Sequence, residues 1–424
     1  MDPAPTLHRA THVSAGQAFL RNRPAVVGLA VILLMVLACL CTLPWTLAQP
    51  AGEAGIPRYN AGEPRAGRLP PSWWGVDAHQ AARLNQLVDS EAVERIAASL
   101  GVAPDELLAE PTDAASRELR RHWPSFALGT DALGRSLLLR TLTGGGISLT
   151  IGIAAALISV CIGTLYGGLS GYIGGRTDAV MMRIVDVLYG LPYILLVVLL
   201  AVASDAVMDE YVTRQQARER WVQQEATLVA AERGLPTDRT SVERLLSQDP
   251  DLRADLEART EQVPSLRRRD ISDGARTTYD VVVLLVAIGG VSWLTMARVI
   301  RGQVLSLKSQ PFVEAARAAG APVGRIFWRH LLPNLVGPII VYATLTVPQA
   351  ILQESFLSFL GIGVKPPLPS WGNLAAEGLS ELNSYRSNWW LLLFPCLLLG
   401  VTLLALNFVG EGLREAFDPK RSRR

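Results

Sequence analysis

Two carboxylates stand where carboxylates are costly. Asp186 and Glu354 each fall within a run of mostly apolar residues, Asp186 near the edge of its run and Glu354 beside Gln353 near the end of another. Ionisable groups inside lipid-length segments mark solute or ion paths, proton relays or buried pairs. Both are candidates for lining a translocation path; for Asp186 the structural alternative is a salt bridge with Arg183. Other chemistry is thin. Cys39, Cys41, Cys161 and Cys396 all lie in apolar runs without zinc-ligand spacing and read as small hydrophobic side chains. The five histidines form no HExxH, and no GxxxxGK[ST] or GxSxG occurs. The sequence therefore predicts no catalytic residue, no metal site and no nucleotide cradle of the usual kind on this chain.

The elements that must position these groups are membrane spans. Of 424 residues, 50% are hydrophobic and only 18% charged, and the mean hydropathy is +0.26; soluble chains usually carry about 25% charged residues. A net charge of +2 gives no reason to expect nucleic acid as a partner. Six segments reach the roughly 20 apolar residues a membrane helix needs: 25–48, 144–173, 181–203, 279–297, 335–357 and 389–409. The first has an apolar core longer than the ~7–15 residues of a signal peptide, so a retained anchor is expected. Pro192, Pro338 and Pro348 fall inside spans, where kinks are tolerated.

Charge sets the orientation. With a cytoplasmic N-terminus, the inside segments 1–24, 174–183, 298–334 and 411–424 carry 16 basic against 6 acidic residues. The outside segments 49–143, 204–278 and 361–388 carry 24 basic against 29 acidic. Positive charge belongs inside, so the expected fold is an all-α integral membrane protein with six transmembrane helices and both termini cytoplasmic. The organisation follows: 1–48, cytoplasmic N-terminus and first span; 49–143, an extracytoplasmic insertion; 144–203, spans two and three; 204–278, a charged extracytoplasmic insertion; 279–424, spans four to six. Both insertions read as helices broken by Gly and Pro, with Ser90 as an N-cap and Gly101 as a stop in the first.

Segment 298–334, between spans four and five, is too long for a turn and too polar for lipid. It reads as two short helices joined at Gly320, a position suited to the left-handed backbone of a helix end, with Pro333-Asn334 closing the second. Such a knob could pass force from a soluble partner into the spans. In span two, Gly163, Gly167, Gly171 and Gly175 recur every fourth residue, a small-residue ridge that lets helices pack backbone to backbone.

Glu314-Ala315-Ala316, then Gly320, then Leu332-Pro333, resembles the EAA loop of ABC importer permeases, and Arg329-His330-x-Leu-Pro-Asn is similar to the dipeptide/oligopeptide branch. Leu128-Gly129-Thr130-Asp131-x-x-Gly134-Arg135 resembles the LGTDxxGRD signature of that branch, with Ser136 in place of the final Asp. Gln353 through Gly363, Pro369-Ser370-Trp371-Gly372 and the ending from Gly412 to Pro419 are also similar. The resemblance covers 1–48, 126–203 and 279–424. It implies a type I importer permease core in the bacterial plasma membrane, with 298–334 as the coupling loop and Glu314, Ala315, Ala316, Gly320, Arg325, Arg329 and Pro333 as ATPase-coupling residues. It further implies two ATP-binding-cassette ATPase subunits holding ATP and magnesium, a second, homologous permease and an extracytoplasmic solute-binding protein. A membrane-embedded enzyme would need convergent catalytic groups in the insertions, which offer only His79 and His122. A self-sufficient secondary transporter would show paired repeats or ion-coupling residues.

Overall fold

Glycine at every fourth position lets two helix backbones touch, and this sets the packing around the longest apolar helix. The computed structural model of the protein describes residues 15–49, 55–109, 112–263, 273–382 and 387–417. Helices are the only extended regular elements among these residues, joined by a few isolated β-bridges. They form two compact units, one drawn from residues 1–193 and 284–424 and the other from 194–283.

The first unit opens with α1 (Ala15–Arg21), α2 (Arg23–Leu40) and α3 (Leu43–Leu47). The helices α4 (Ala78–Asn85), α5 (Ser90–Leu100), α6 (Pro104–Ala109) and α7 (Asp113–Arg121) follow. They bury Val93, Ile96, Leu107 and Leu119 in a core of their own. The N-cap of α5 is Asp89, one residue before the expected Ser90, and Gly101 ends the helix with φ +68°. Then come α8 (Leu137–Ile173) and α9 (Gly175–Gly190).

A side chain at Gly163 would strike Met296, one at Gly167 the Ala297 backbone, and one at Gly171 the Arg301 carbonyl and Val304. Thus the C-terminal half of α8 is pressed against α13 (Asp273–Leu307). Gly175 does not join this ridge. It lies beyond the end of α8 with φ +59°, and nothing lies within 4 Å of a β-carbon built on it.

Among the described residues, five helical stretches are long and apolar enough to cross a membrane, or six if Gly175–Gly190 and Ile194–Leu200 count as one broken span. The expected third span, 181–203, straddles that break. Its helix stops at Gly190, and α10 (Tyr193–Glu232) begins just after Pro192, which has no N–H to continue the ladder. The second unit holds most of α10 with α11 (Arg239–Gln248) and α12 (Pro250–Gln262), packed around Val222, Ala226, Val242, Leu246 and Leu256.

Two further boundaries differ from the sequence reading. Helix α13 continues to Leu307, so residues 298–307 prolong the span rather than open the knob. The knob itself is α14 (Pro311–Ala318) and α15 (Val323–Ile326), and its second piece does not end at Pro333-Asn334. A π turn over Phe327–Leu331, in which the Leu332 N–H reaches the Phe327 carbonyl, leads directly into α16 (Leu332–Phe359). The Asn334 side chain donates to the His330 carbonyl at 2.7 Å, so the wider turn and a side-chain donor carry the helix past a proline. Pro338 and Pro348 lie inside α16. The chain closes with α17 (Trp371–Ser380) and α18 (Trp390–Phe417); Asp418 and Pro419 of the final motif lie outside the described residues.

Helices α2 and α18 run antiparallel. A β-carbon on Gly28 would meet the Ala405 carbonyl, and one on Gly412 would meet Ala25. The Arg23 end of α2 and the Phe417 end of α18 therefore share one side. Phe417 also lies 3.3 Å from a β-carbon built on Gly337, in the first turns of α16, which places that side at the knob. Trp45 and Trp390 mark the opposite side.

Candidate functional site

Val313 roots the knob. On a helix as short as α14 one side chain can decide whether it docks, and Val313 is 0% exposed. It packs with Ile300, Val304, Ile326, Leu331 and Leu335, and with half-buried Ala316 and Ala321. Gly320 ends α14 with φ +73°. Its N–H reaches the Arg317 carbonyl at 3.0 Å, and the Ala321 N–H reaches the Ala316 carbonyl at 3.1 Å. This paired arrangement needs a left-handed residue after the last helical turn, and Pro322 then bars continuation. Glu314, Ala315, Arg317, Arg325 and Arg329 face outward, with Phe312, Val323 and Trp328 exposed among them. Ala316 is half-buried toward the root, and Pro333 stands at the start of α16. The result is a small apolar surface rimmed by arginines and one glutamate on a rigid base.

Beneath it lies a platform that sequence reasoning missed. Arg301 of α13 donates through Nε and Nη2 to the two carboxylate oxygens of Asp178 in α9, and Ser170 of α8 donates to the same carboxylate. Lys308 Nζ caps the Gly171 carbonyl at the end of α8, 2.9 Å away. Three helix ends are tied together directly under the knob. Asp186 does not pair with Arg183. It accepts from Arg298 at 2.9 Å, whose guanidinium lies 4.1 Å from the Tyr189 ring centre. No local spacing announces the Arg301, Lys308 and Arg298 contacts, because those partners lie more than 100 residues apart.

The opposite side carries a second polar constellation. Gly129 and Gly134, at φ +85° and +76°, fold the segment 128–136 into a tight turn around Asp131. That carboxylate accepts the Leu133 and Arg135 backbone N–H groups at 2.9 and 3.0 Å. It also accepts Arg135 Nε at 2.7 Å and Arg140 Nη1 at 2.8 Å. Arg140, almost fully buried, also donates to both oxygens of Glu377 in α17. Nearby, Arg68 holds Glu381 through two hydrogen bonds, and Asn388 adds a third. The Arg68 hydrogen bonds keep the Glu381 carboxyl below the usual glutamate range, against a smaller opposing effect of burial.

Glu354 is 0% exposed and sits between α8, α16 and the start of α17. Ser358 donates to it at 2.7 Å and Ser355 at 3.2 Å, with the hydroxyls of Ser148 and Ser370 also in hydrogen-bonding reach. The neighbouring contacts are close: a side chain on Gly372 would strike the Ser355 carbonyl, and one on Gly145 would strike Trp371. This arrangement can pin the N-terminus of α17 to two spans. The structure brings Glu314, Ala315, Ala316, Gly320, Arg325 and Arg329 together on the knob and leaves Asp186 and Glu354 apart from one another.

Comparison with known proteins gives matches over most of this architecture. The family model described as binding-protein-dependent transport system inner membrane component matches residues 159–423. A second, described as the N-terminal TM domain of oligopeptide transport permease C, matches residues 14–71. The oligopeptide transport system permease protein OppC of Escherichia coli strain K12 is 40% identical over 292 residues, 69% of this chain and 72% of that protein. The dipeptide transport system permease protein DppC of Bacillus subtilis strain 168 is 38% identical over 302 residues, 71% of this chain and 70% of that protein. The OppC protein of Haemophilus influenzae is 38% identical over 292 residues, covering 69% and 70% of the two chains.

Proposed function

The chain belongs to the family of binding-protein-dependent transport system inner membrane components, and from that premise we propose that it carries di- or oligopeptides, or similar small solutes, inward across the bacterial plasma membrane. It is the permease subunit of an ABC importer, and ATP hydrolysis resides on a separate subunit. The finer reading has two ATPases on the cytoplasmic side, each with its own ATP and magnesium. A second, homologous permease completes the pore, and a solute-binding protein delivers from outside. Both termini are then cytoplasmic, six spans cross the bilayer, and the segments 49–143 and 204–278 face outward, where 49–125 and 204–278 shape docking of the binding protein. No cofactor is assigned to this chain.

The observation that carries this reading is the knob. Phe312, Val323 and Trp328 stay exposed, as do Arg317, Arg325 and Arg329, while Val313 fixes the segment to α13 and the start of α16. An apolar patch with an arginine rim on a rigid root suits a protein partner. Closing of the ATPases on ATP would push this lever, and the platform of Asp178, Arg301 and Lys308 would pass the movement to α8, α9 and α13.

Co-purification of the tagged chain from its native membrane in mild detergent tests the assembly. We expect an ATPase and a second permease to accompany it, and Gly320→Pro to release the ATPase. Proline fixes φ near −65° and has no N–H, whereas Gly320 has φ +73° and donates to the Arg317 carbonyl. A chain that purifies alone and moves solute in liposomes without ATP would overturn the reading.

A further inference from the structure

Trp73 and Trp74 are 60% and 51% exposed, two large aromatic side chains left uncovered in the loop before α4. Two adjacent exposed indoles form an apolar patch, the kind of surface that marks a protein or membrane contact. Their position indicates which one. Trp74 packs edge-on against Trp389 with ring centres 5.1 Å apart, and Trp73 lies 6.3 Å from Trp389 and 6.4 Å from Phe394. Trp389 immediately precedes α18, so the pair sits at the level where that membrane-length helix begins.

The other end of the same layer is marked independently. Trp45, exposed in α3 where the first membrane-length stretch finishes, lies on the same side of the antiparallel α2–α18 pair, with the Arg58 guanidinium 5.2 Å from its ring centre. Tryptophan concentrates at the headgroup level, where the ring is shielded and the N–H stays polar. Trp73 fits that demand: its indole N–H donates to the Ala127 carbonyl at 2.8 Å, leaving the ring face to the outside.

The local charge agrees. Between Arg68 and Asp77 the chain holds Leu69, Pro70, Pro71, Ser72, Trp73, Trp74, Gly75 and Val76, with no acidic or basic residue. A turn closes under the rings, Trp74 N–H to the Pro71 carbonyl at 2.8 Å and Ser72 N–H to the Phe126 carbonyl at 2.9 Å. It joins them to the core of Leu69, Leu84, Trp123 and Phe126 at the base of the first insertion.

We propose that Trp73 and Trp74 form a lipid-seated wedge that rests the insertion 49–143 on the headgroup layer of the outer leaflet. The proposal rests on the membrane reading above, and adds to it that this insertion is held at a fixed height by lipid. That height sets the level at which an incoming binding protein meets the permease.

Spin labels in the whole assembly, reconstituted in nanodiscs from a variant lacking the four native cysteines, test it. Labels are placed at Trp74→Cys, at the exposed helix position Glu94→Cys, and at Leu37→Cys, 63% exposed on α2. The expected result is that oxygen outcompetes a nickel chelate in relaxing the labels at 74 and 37, and that the order reverses at 94. A label at 74 that behaves like 94 overturns the wedge, as does one shielded from both agents, which would mean a protein covers it. A label at 37 that meets the nickel chelate overturns the membrane reading itself.

Should the cysteine variant fail to assemble, the unlabelled assembly decides. Lipids brominated near the headgroup should quench its tryptophan emission, and Trp73→Phe with Trp74→Phe should remove part of that quenching. Quenching unchanged by the double substitution overturns the wedge.

Discussion

At the knob, Phe312, Val323 and Trp328 are exposed on the short helices and the π turn, and the arginines of the ion pairs below them, Arg301 with Asp178 and Arg298 with Asp186, are partly open to solvent. At the opposite ends of the same helices the pattern is inverted: Arg140, Asp131 and Glu354 are turned inward and surrounded by donors and acceptors. The contrast reflects what each end must withstand. A surface gripped by another protein keeps its apolar groups available and its root apolar. A seam that holds α8, α16 and α17 together sinks Arg140 with Asp131, because separating a buried pair leaves an uncompensated ion, and surrounds Glu354 with serine hydroxyls.

The sharpest way to break this comparison is Arg140→Met, which leaves Asp131 and Glu377 without their shared cation. Asp131 keeps Arg135 and two backbone N–H donors and Glu377 is partly exposed, so we expect a loss of about 1.5–3 kcal/mol, measured as a fall in the melting temperature of the purified assembly. Arg140→Lys should recover only part of it, since an ammonium cannot fork between two carboxylates. If Arg140→Met melts as the parent does, the buried seam is not what holds this end.

Gly167→Val probes the ridge between the two ends. Its side chain would enter the Ala297 backbone, and overpacking of this kind costs about 1–3 kcal/mol. Gly175→Ala should cost only about 1–2 kcal/mol, the price of a left-handed backbone, because nothing crowds it. Equal losses of twice that size at both positions would return Gly175 to the ridge.

Val313→Ala removes two methyl groups from the root, about 2 kcal/mol of local docking. Its expected signature is a fall in solute-stimulated ATP hydrolysis with little change in melting temperature, the reverse of Arg140→Met. A fall in both would mean that the knob and the seam are one cooperative structure.

The smallest effect is a pH dependence at the seam's rim. The Arg68 hydrogen bonds set the Glu381 pKa below its value in the unfolded chain. The contribution is therefore complete above the ordinary glutamate pKa near 4.5 and disappears as pH falls through the lower folded value. Since Arg68 is half exposed, the contribution should stay below about 1 kcal/mol. Glu381→Gln should flatten the acid limb of the melting-temperature profile relative to the parent; identical limbs would remove Glu381 from the rim.

Much of the architecture was legible in the sequence, because membrane helices are specified locally. A run of about 20 apolar residues satisfies its own backbone hydrogen bonds and needs only lipid around it. The same holds for Gly320, whose left-handed backbone is a property of one residue, and for the ordered motifs that announced the family. The ridge of Gly163, Gly167 and Gly171 was visible as spacing, but spacing could not exclude Gly175, since only the end of α8 removes it. Nor could it show that α13 runs on through 298–307, or that a π turn carries the chain past Pro333.

Tertiary structure alone decided where the long-range charges meet, unlike Asp131 with Arg135 four residues on. Asp178 meets Arg301 across 123 residues and Arg140 meets Glu377 across 237, distances over which no periodicity signals a contact. Glu354 stood out as a costly carboxylate in an apolar run, yet its surroundings come from three helices. Four serine hydroxyls, from Ser148, Ser355, Ser358 and Ser370, become its solvent only when those helices close around it.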